Sequence, residues 1–334
     1  MKKFMIFFFL GVIVFSFYGC RSERGSGYDK EGNLFGRISI SGAWAMYPLV
    51  VKWAEEFRKE HPKVLIDISA GGAGKGIVDV LAGMVDMAMV SRDITPIEVG
   101  RNAWYIPVAK DAVIPTFNSN NPNRAVILEQ GLMRRHFQEL FLVPGDKNWA
   151  GFLQGRGQGT VNVYTRSDAC GAGEVWAHYL GKAQEDLLGI GVFGDPGIAD
   201  IVRNDVLGVG YNNIAFAFDI GTRMPFPGLS VIPIDLNENG KIDPEENFYD
   251  TLDKLMEAIS QDRYPSPPAR NLFFVSNGQP KNIAAIEFLH WVLTKGQTFV
   301  TEAGYVGLSE EIILTQKEKL PEKTRPILPD YPTE

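Results

Sequence analysis

Cysteine is nearly absent from this chain: Cys20 and Cys170 are the only two among 334 residues. A stapling disulfide framework is therefore excluded, and stability has to come from buried apolar cores. Histidine is almost as scarce. His61, His136, His178 and His290 show no metal-ligand spacing and read as surface or core residues. Basic charge is also short, 33 Lys and Arg against 40 Asp and Glu, a formal net charge of −7. Such a field disfavours nucleic acid as a partner, and any bound anion must be held by local dipoles and hydrogen bonds. There is no internal repeat, and no apolar run of membrane length follows the N-terminus, so the remainder is expected to be soluble.

What is present is ordinary globular composition, 45% hydrophobic and 22% charged, with 35 Gly and 20 Pro suited to a loop-rich α/β protein. The length allows two lobes of roughly 100–200 residues, each with its own core. The first twenty residues read as a targeting segment: Lys2 and Lys3, then the apolar run Phe4 to Phe17, ending at Phe17-Tyr18-Gly19-Cys20. That ending resembles a lipobox, which makes Cys20 the expected lipid anchor and leaves Cys170 the only free thiol; Phe17 stands where Leu is usual. Residues 21–35 read as a flexible tether.

From Gly36 to Ser41 the chain alternates apolar and polar as a strand, runs into Gly42, and continues with Pro48, Leu49, Trp53 and Phe57 at helical spacing. Val64 to Ser69 is a second strand, followed by the glycine-rich Ala70 to Gly76 and a helix carrying Ile77, Val80 and Leu81. Val85 to Val90 is a third strand, ending at Ser91-Arg92-Asp93; Trp104 to Val108 and Ala112 to Phe117 are expected as two more. Val161 to Tyr164, Leu207 to Tyr211 and Leu229 to Ile234 follow, then a linker at Pro265 to Pro268, a strand at Leu272 to Val275, and a helix with Ile286, Phe288, Leu289 and Val292. Strands alternating with helices indicate an α/β fold with parallel-rich sheets. Crossings near 113–118 and 268–275 would build one lobe from both chain ends and place a site between lobes. The expected organisation is 36–116 plus 273–320 for lobe one, 117–272 for lobe two, and a surface tail over 321–334.

Three glycine-bearing turns follow strands and open helices, at Gly42, at 70–76 and at 165–173. Helix N-termini expose unpaired N–H groups and about half a positive charge of dipole, and glycine lets the backbone close on an oxyanion. One such loop is commonly structural; three, with Arg92 and Arg166 beside strand ends, point to anion binding.

Ser41-Gly42-Ala43-Trp44-Ala45-Met46-Tyr47-Pro48 resembles the first phosphate loop of the periplasmic phosphate-binding proteins of ABC transporters. Gly71 to Gly76 is similar to their second loop, Val85 to Arg92 to the following strand and its end, and Arg166-Ser167-Asp168-Ala169-Cys170-Gly171-Ala172-Gly173 to their second-lobe Arg-x-Asp-x-Ser-Gly-Thr. Trp149, Gly208 to Asn212, Tyr264 to Pro268, Gly296-Gln297 and Gly304-Tyr305 extend the resemblance over about residues 36–310. It implies a two-lobed type II binding fold, a mostly parallel sheet in each lobe, and a phosphate held by amides, hydroxyls, an arginine and an acidic residue. The implied ligand set is Ala45, Met46, Tyr47, Gly72, Ala73, Gly74, Ser91, Arg92, Arg166, Asp168, Cys170, Gly171 and Ala172. Arg166 would be the bidentate partner, since a guanidinium fork matches two oxygens; Asp168 would orient it. No catalytic role is expected.

The departures concern hydroxyls. Ala45 and Met46, Ala73, Cys170 and Ala172 stand where the family usually offers Ser or Thr. Each neutral hydrogen bond is worth about 0.5–1.5 kcal/mol, so the ligand is either phosphate held chiefly by amides with Ser91, Arg92 and Arg166, or another tetrahedral oxyanion such as sulfate, molybdate, tungstate or arsenate. Some relatives carry an acid where Arg92 stands, accepting the proton of hydrogen phosphate; here Asp93 or nothing would serve. Cys170 has two readings, a thiolate favoured by the helix start beside Arg166 or a small lining group replacing Ser.

An independent motif runs from Asp235 to Glu246, Asp-Leu-Asn-Glu-Asn-Gly-Lys-Ile-Asp-Pro-Glu-Glu, matching the twelve-residue calcium loop throughout. The ligand positions are Asp235, Asn237, Asn239, the Lys241 carbonyl, Asp243 and Glu246, with Gly240 at the sharp turn and Ile242 anchoring the loop. A solvated acidic turn is the plainer alternative. A structural calcium, remote from the anion, is the expected cofactor. Expected partners are the oxyanion, a transporter permease and, through the lipid, a bacterial membrane outside the cytoplasm, the protein itself being a monomer; a signalling lipoprotein on the same fold is the competing role, and a Cys170 enzyme lacks a base.

Overall fold

The structure is a computed structural model and describes residues 25–323. The leader, the Cys20 anchor site and most of the tail expected at 321–334 lie outside the described residues. The strands are β1 (Gly27–Tyr28), β2 (Leu34–Gly42), β3 (Lys63–Ala70), β4 (Met87–Val90), β5 (Ala103–Asn118), β6 (Lys147–Asn148), β7 (Thr160–Arg166), β8 (Ile190–Val192), β9 (Gly208–Asn213), β10 (Leu229–Val231) and β11 (Ala269–Asn277). β2 pairs parallel with β3 and β4, and β7 pairs parallel with β8 and β9. Antiparallel β11 and β5 join the two halves of the molecule.

The joint is made by one long strand. The segments expected as two strands, Trp104 to Val108 and Ala112 to Phe117, are one 16-residue β5. Ala-Lys-Asp between them contains no turn former, so the chain stays extended. Residues 103–112 pair with β11, and from Val113 the partner becomes β9. A register shift opposite Leu272 and Phe273 sits beside Pro107, which cannot donate to a ladder.

Two large apolar cores follow the same division. One gathers residues from Leu34 to Ala109 and from Leu272 to Leu320, around Trp53, Phe57, Phe274 and Phe288. The other runs from Ala112 to Ala269, with Val306 added, around Trp149, Trp176, Tyr211 and Tyr264. The changeover therefore falls at 109–112 and 269–272, a few residues before the boundaries expected at 116 and 272. In the first core, helix Tyr47–Glu60 carries Pro near its start, where a missing N–H costs nothing, and buries Leu49, Val50, Trp53, Ala54 and Phe57 on one face. Fully burying such side chains is worth about 1.5–3 kcal/mol each. The last helix is Glu310–Lys319; Ser309 caps it by accepting from the Ile312 amide at 3.4 Å. Among the described residues no helix is long and apolar enough to cross a membrane.

Candidate anion-binding cleft

Four strand-to-helix turns face one another across the joint, two from each lobe. At the first, Gly42 has φ +136° and lies so close to Met89 that a Cβ would overlap its backbone. The Gly42 carbonyl accepts from the amides of Gly71 and Gly72 at 2.9 and 3.0 Å, which ties the first turn to the second. Helix Ala73–Leu81 begins there, with Gly72 at φ +93° as its cap. The side chains of Ala45 and Met46 do not line the cleft: both are buried in the first core, and Tyr305 Oη donates to the Ala45 carbonyl at 2.7 Å. Their place in the expected ligand set is thereby reduced to backbone, with Tyr47 half-buried beside them.

From lobe two, β7 ends at Arg166 and helix Gly171–Tyr179 starts after Cys170. The Cys170 thiol caps the helix, accepting from the Gly173 amide at 3.3 Å. Burial pushes that thiol up to about 12 against the pull of Arg166, with Asp168 and Asp195 adding to the rise. Burial favours the neutral thiol over the thiolate, and Cys170 caps the helix. Gln184 fastens the loop, donating to the Asp168 carbonyl at 2.7 Å and accepting from the Cys170 amide at 3.2 Å.

Arg166 is completely buried at its side chain. Nε and Nη2 form a fork with Asp168 at 2.8 and 2.6 Å, and Nη1 pairs with Asp195. Burial pulls its pKa down, but Asp195 and then Asp168 outweigh this and hold the charge firmly. A guanidinium has five N–H donors; three are committed here, which leaves two for an anion. Asp168, expected to orient Arg166, is paired with it through both oxygens. Asp195 was missed, although Phe193-Gly194-Asp195-Pro196 after β8 is a fourth strand–glycine–helix turn of the same kind, legible in the sequence.

Arg92 is engaged by carboxylates of both lobes. Its Nη1 and Nη2 fork onto Glu98 at 3.0 and 2.7 Å, and its Nε reaches Glu174 of the opposite lobe at 2.8 Å. Carrying two carboxylates, one from each lobe, it forms a latch between them. Ser91 is buried, with Gly171 pressed so close that a Cβ would overlap its oxygens. The Gly74 amide donates to the Ala169 carbonyl at 3.4 Å, and Trp44 meets Phe193 edge-on with centroids 6.4 Å apart. The lobes are closed on each other. Helix starts leave their first amides without intrahelical partners, and here those belong to Ala73, Gly171 and Ala172. A cavity of about 530 Å³ opens at the rim between Gly74, Arg92 and Asp93 on one side and Cys170, Glu174 and His178 on the other.

A buried polar chain runs from Asp195 to Asp111. Asp195 accepts from the Asn213 amide at 3.1 Å, Asn213 Oδ1 accepts from Arg270 Nη2, and the same Nη2 lies 3.2 Å from Asp111 Oδ2. Burial pushes Asp111 up to about 6, with Arg270 opposing.

The loop at 235–246 lies apart from the cleft. Asp235 and Glu246 are buried, 1% and 6% exposed, and neither meets a Lys or Arg among the described residues. Asp235 accepts from the amides of Asn239 and Gly240, Glu246 from those of Leu236, Asn237 and Asp243. The Ile242 amide donates to the Glu129 carbonyl at 2.9 Å, the anchoring expected of it. Among the described residues no three His, Cys, Asp or Glu side chains gather at metal-binding spacing, so any ion there would draw on amide and carbonyl oxygens as well.

Residues 24–295 match the PBP superfamily domain. The phosphate-binding protein PstS of Methanocaldococcus jannaschii is 24% identical over 376 residues, covering 90% of each chain. A protein assigned as a phosphate ABC transporter substrate-binding protein, solved with bound phosphate from Clostridium perfringens, superposes with a TM-score of 0.67 at 19% identity, covering 82% of this chain and all of that one. An ABC-type phosphate transport receptor from Vibrio cholerae gives 0.58 at 18% identity, over 81% of this chain and all of that one.

Proposed function

The chain belongs to the PBP superfamily, and on that premise we propose that it captures inorganic phosphate between its lobes and delivers it to the permease of an ABC transporter. The observation that carries this reading is Arg166, buried at the end of β7 and oriented by Asp168 and Asp195 with two N–H donors uncommitted. A named phosphate-binding relative over 90% of the chain points the same way. The amides of Ala73, Gly171 and Ala172 supply what the missing hydroxyls do not. Lobe opening admits the anion, and the anion's contacts with both lobes favour the closed form seen here.

We further propose that the protein acts outside the cytoplasm as a monomer anchored by a lipid on Cys20, and that the 235–246 loop binds a structural calcium ion through Asp235, Asn237, Asn239, the Lys241 carbonyl, Asp243 and Glu246. Two buried carboxylates without a cationic side chain favour the ion, because buried charge is stable only when compensated.

The test is calorimetric titration of the mature chain with phosphate, sulfate, molybdate, tungstate and arsenate. Saturable binding of phosphate in the micromolar range or below is expected. Binding of a different oxyanion alone would redirect the ligand, and silence with all five would favour a signalling role.

A further inference from the structure

Lobe two carries a cavity of about 460 Å³ that shares no residue with the anion site. It lies where β10 begins, between the segment 224–228 and the residues on either side of the 235–246 loop. Met224, Pro225, Phe226 and Pro227 line one part of it, Pro233 and Tyr249 another. Met224 is 48% exposed, an adaptable apolar side chain left in water. The one cation of the lining is Arg124, which is exposed. Arg135 and Arg156 of the same lobe hold Glu238 and Glu129, whereas Arg124 meets no carboxylate among the described residues. Asp250 of the same lining is taken by Lys254 at 2.7 Å.

Prolines and aromatic rings around a groove suit an extended proline-rich chain, whose polyproline helix is preformed and loses little entropy on docking. This protein carries such a sequence in residues 325–334, Arg-Pro-Ile-Leu-Pro-Asp-Tyr-Pro-Thr-Glu, which lie outside the described residues. Pro326, Pro329 and Pro332 recur at every third position. A polyproline helix has three residues per turn, so that spacing suits one face carrying all three rings. Asp330 and Glu334 supply acids that complement Arg124.

The segment starts within reach of the cavity. Lys323 Nζ lies 3.0 Å from Glu287 Oε2. One helical turn beyond Glu287, Trp291 stacks on Phe299 with centroids 5.9 Å apart. Three residues past Phe299, the Glu302 carbonyl accepts from Arg223 Nη1 at 3.4 Å, and Met224 is next in the chain. A few side-chain contacts therefore separate Lys323 from the cavity wall. Residues 324–334 in polyproline form would span about 34 Å, at about 3.1 Å per residue.

We infer that residues 325–334 dock in this cavity of their own chain, prolines against its prolines and rings, with an acid of the segment on Arg124. The docked segment starts on lobe one and ends on lobe two, so it straps the lobes together outside the anion site.

The experiment titrates a synthetic peptide of residues 324–334 into three forms of the full mature chain by calorimetry. They are the wild type, a triple variant combining Pro326→Ala, Pro329→Ala and Pro332→Ala, and the triple variant with Arg124→Gln added. All four substitutions fall in the segment or on an exposed side chain, so the fold of residues 25–323 is kept. In the wild type the attached segment competes at an effective concentration of about a millimolar. The peptide should therefore bind the triple variant about tenfold more tightly than the wild type. Arg124→Gln should weaken it by about twofold to fivefold, and a scrambled peptide without the three-residue proline spacing should not bind. A triple variant that ignores the peptide, or takes the scrambled one equally well, overturns the inference. Equal affinity in wild type and triple variant overturns it too, because the attached segment then leaves the cavity empty. A wild type that is dimeric in size-exclusion chromatography beside a monomeric triple variant would instead assign the cavity to the segment of a second copy.

Discussion

The 235–246 loop and the interlobe cleft are both sites of charge held by backbone amides, but they are built in opposite ways. The loop is twelve consecutive residues, and its glycine, its acids and its anchoring Ile242 all stand where a calcium loop needs them. The cleft is gathered from Gly42, Gly72, Ser91, Arg166 and Asp195, on separate elements of both lobes. Acids show the difference. Asp243, at the water-facing edge of the loop, is lowered to about 2, first by Lys241 and then by Asn237 and Asn239. Asp111, buried where β5 crosses between the lobes, is raised to about 6 by burial. A local site can satisfy its charges from its own turn, whereas an interlobe site depends on the closure of two bodies and on whatever enters between them.

The sharpest way to break the cleft is Arg166→Ala. It should abolish measurable phosphate binding in calorimetry, and it should also cost stability. Removing the guanidinium leaves Asp168 and Asp195 buried without a counter-charge, a change worth about 3–5 kcal/mol. Urea unfolding of the variant checks this, and an unchanged midpoint with lost binding would mean that the two acids find water instead. The corresponding break in the loop is calcium removal. An ion present at about a hundred times its dissociation constant stabilises by about 2.7 kcal/mol. Chelation should therefore lower the melting temperature by several degrees, with Glu246→Gln abolishing the calcium response. Phosphate affinity at fixed temperature should not change; a shift in it would mean that the two regions are coupled.

Legibility in the sequence followed the same contrast. The strand–glycine–helix turns, the two crossings and the α/β class could be read because each is a local pattern. So could the loop, whose motif is contiguous. The single β5 was not, since two apolar runs separated by Ala109, Lys110 and Asp111 look alike whether the chain bends or passes straight from one sheet to the next. The partners of Arg92 were not legible, because an arginine at a strand end can face an anion or a carboxylate, and Glu174, its partner across the cleft, is 82 positions away. Asp111 and Arg270 carry no motif at all. Only the pairing of β5 with β11 brings them together. Asp195 could have been found, had the turn at Gly194 been counted with the other three.

A smaller effect separates the two regions by pH. A carboxyl raised above its usual 3.8 to about 6 binds more protons folded than unfolded, so its contribution falls as pH rises through that window and is most favourable below it. Asp111→Asn should remove this component: the stability difference between variant and wild type should vary between pH 4 and 6 and level off above. Asp243 has the opposite sign, being lowered, and Asp243→Asn should change the profile only below its usual range, as pH falls toward 2. Parallel profiles for wild type and Asp111→Asn would show that the buried acid titrates normally.

The smallest expected effect concerns the latch. Arg92 is held by Glu98 within lobe one and by Glu174 across the cleft, and the Glu174 side chain is 47% exposed. A pair this open to water is worth about 0–1 kcal/mol. Burial raises the Glu174 carboxyl and Arg92 only partly offsets it. Glu174→Gln should therefore leave the fold and the loop's calcium response untouched and shift the lobes modestly toward opening. Since a ligand that bridges both lobes binds the closed form, any loss of closure lowers apparent affinity by the fraction no longer closed. A twofold to fivefold weakening of phosphate at low salt, about 0.4–1 kcal/mol, shrinking as high salt screens the pair in the wild type, is the expected result. No change at low salt would mean that Glu98 alone positions Arg92, leaving closure to the tighter contacts of Gly171 with Ser91 and of Trp44 with Phe193.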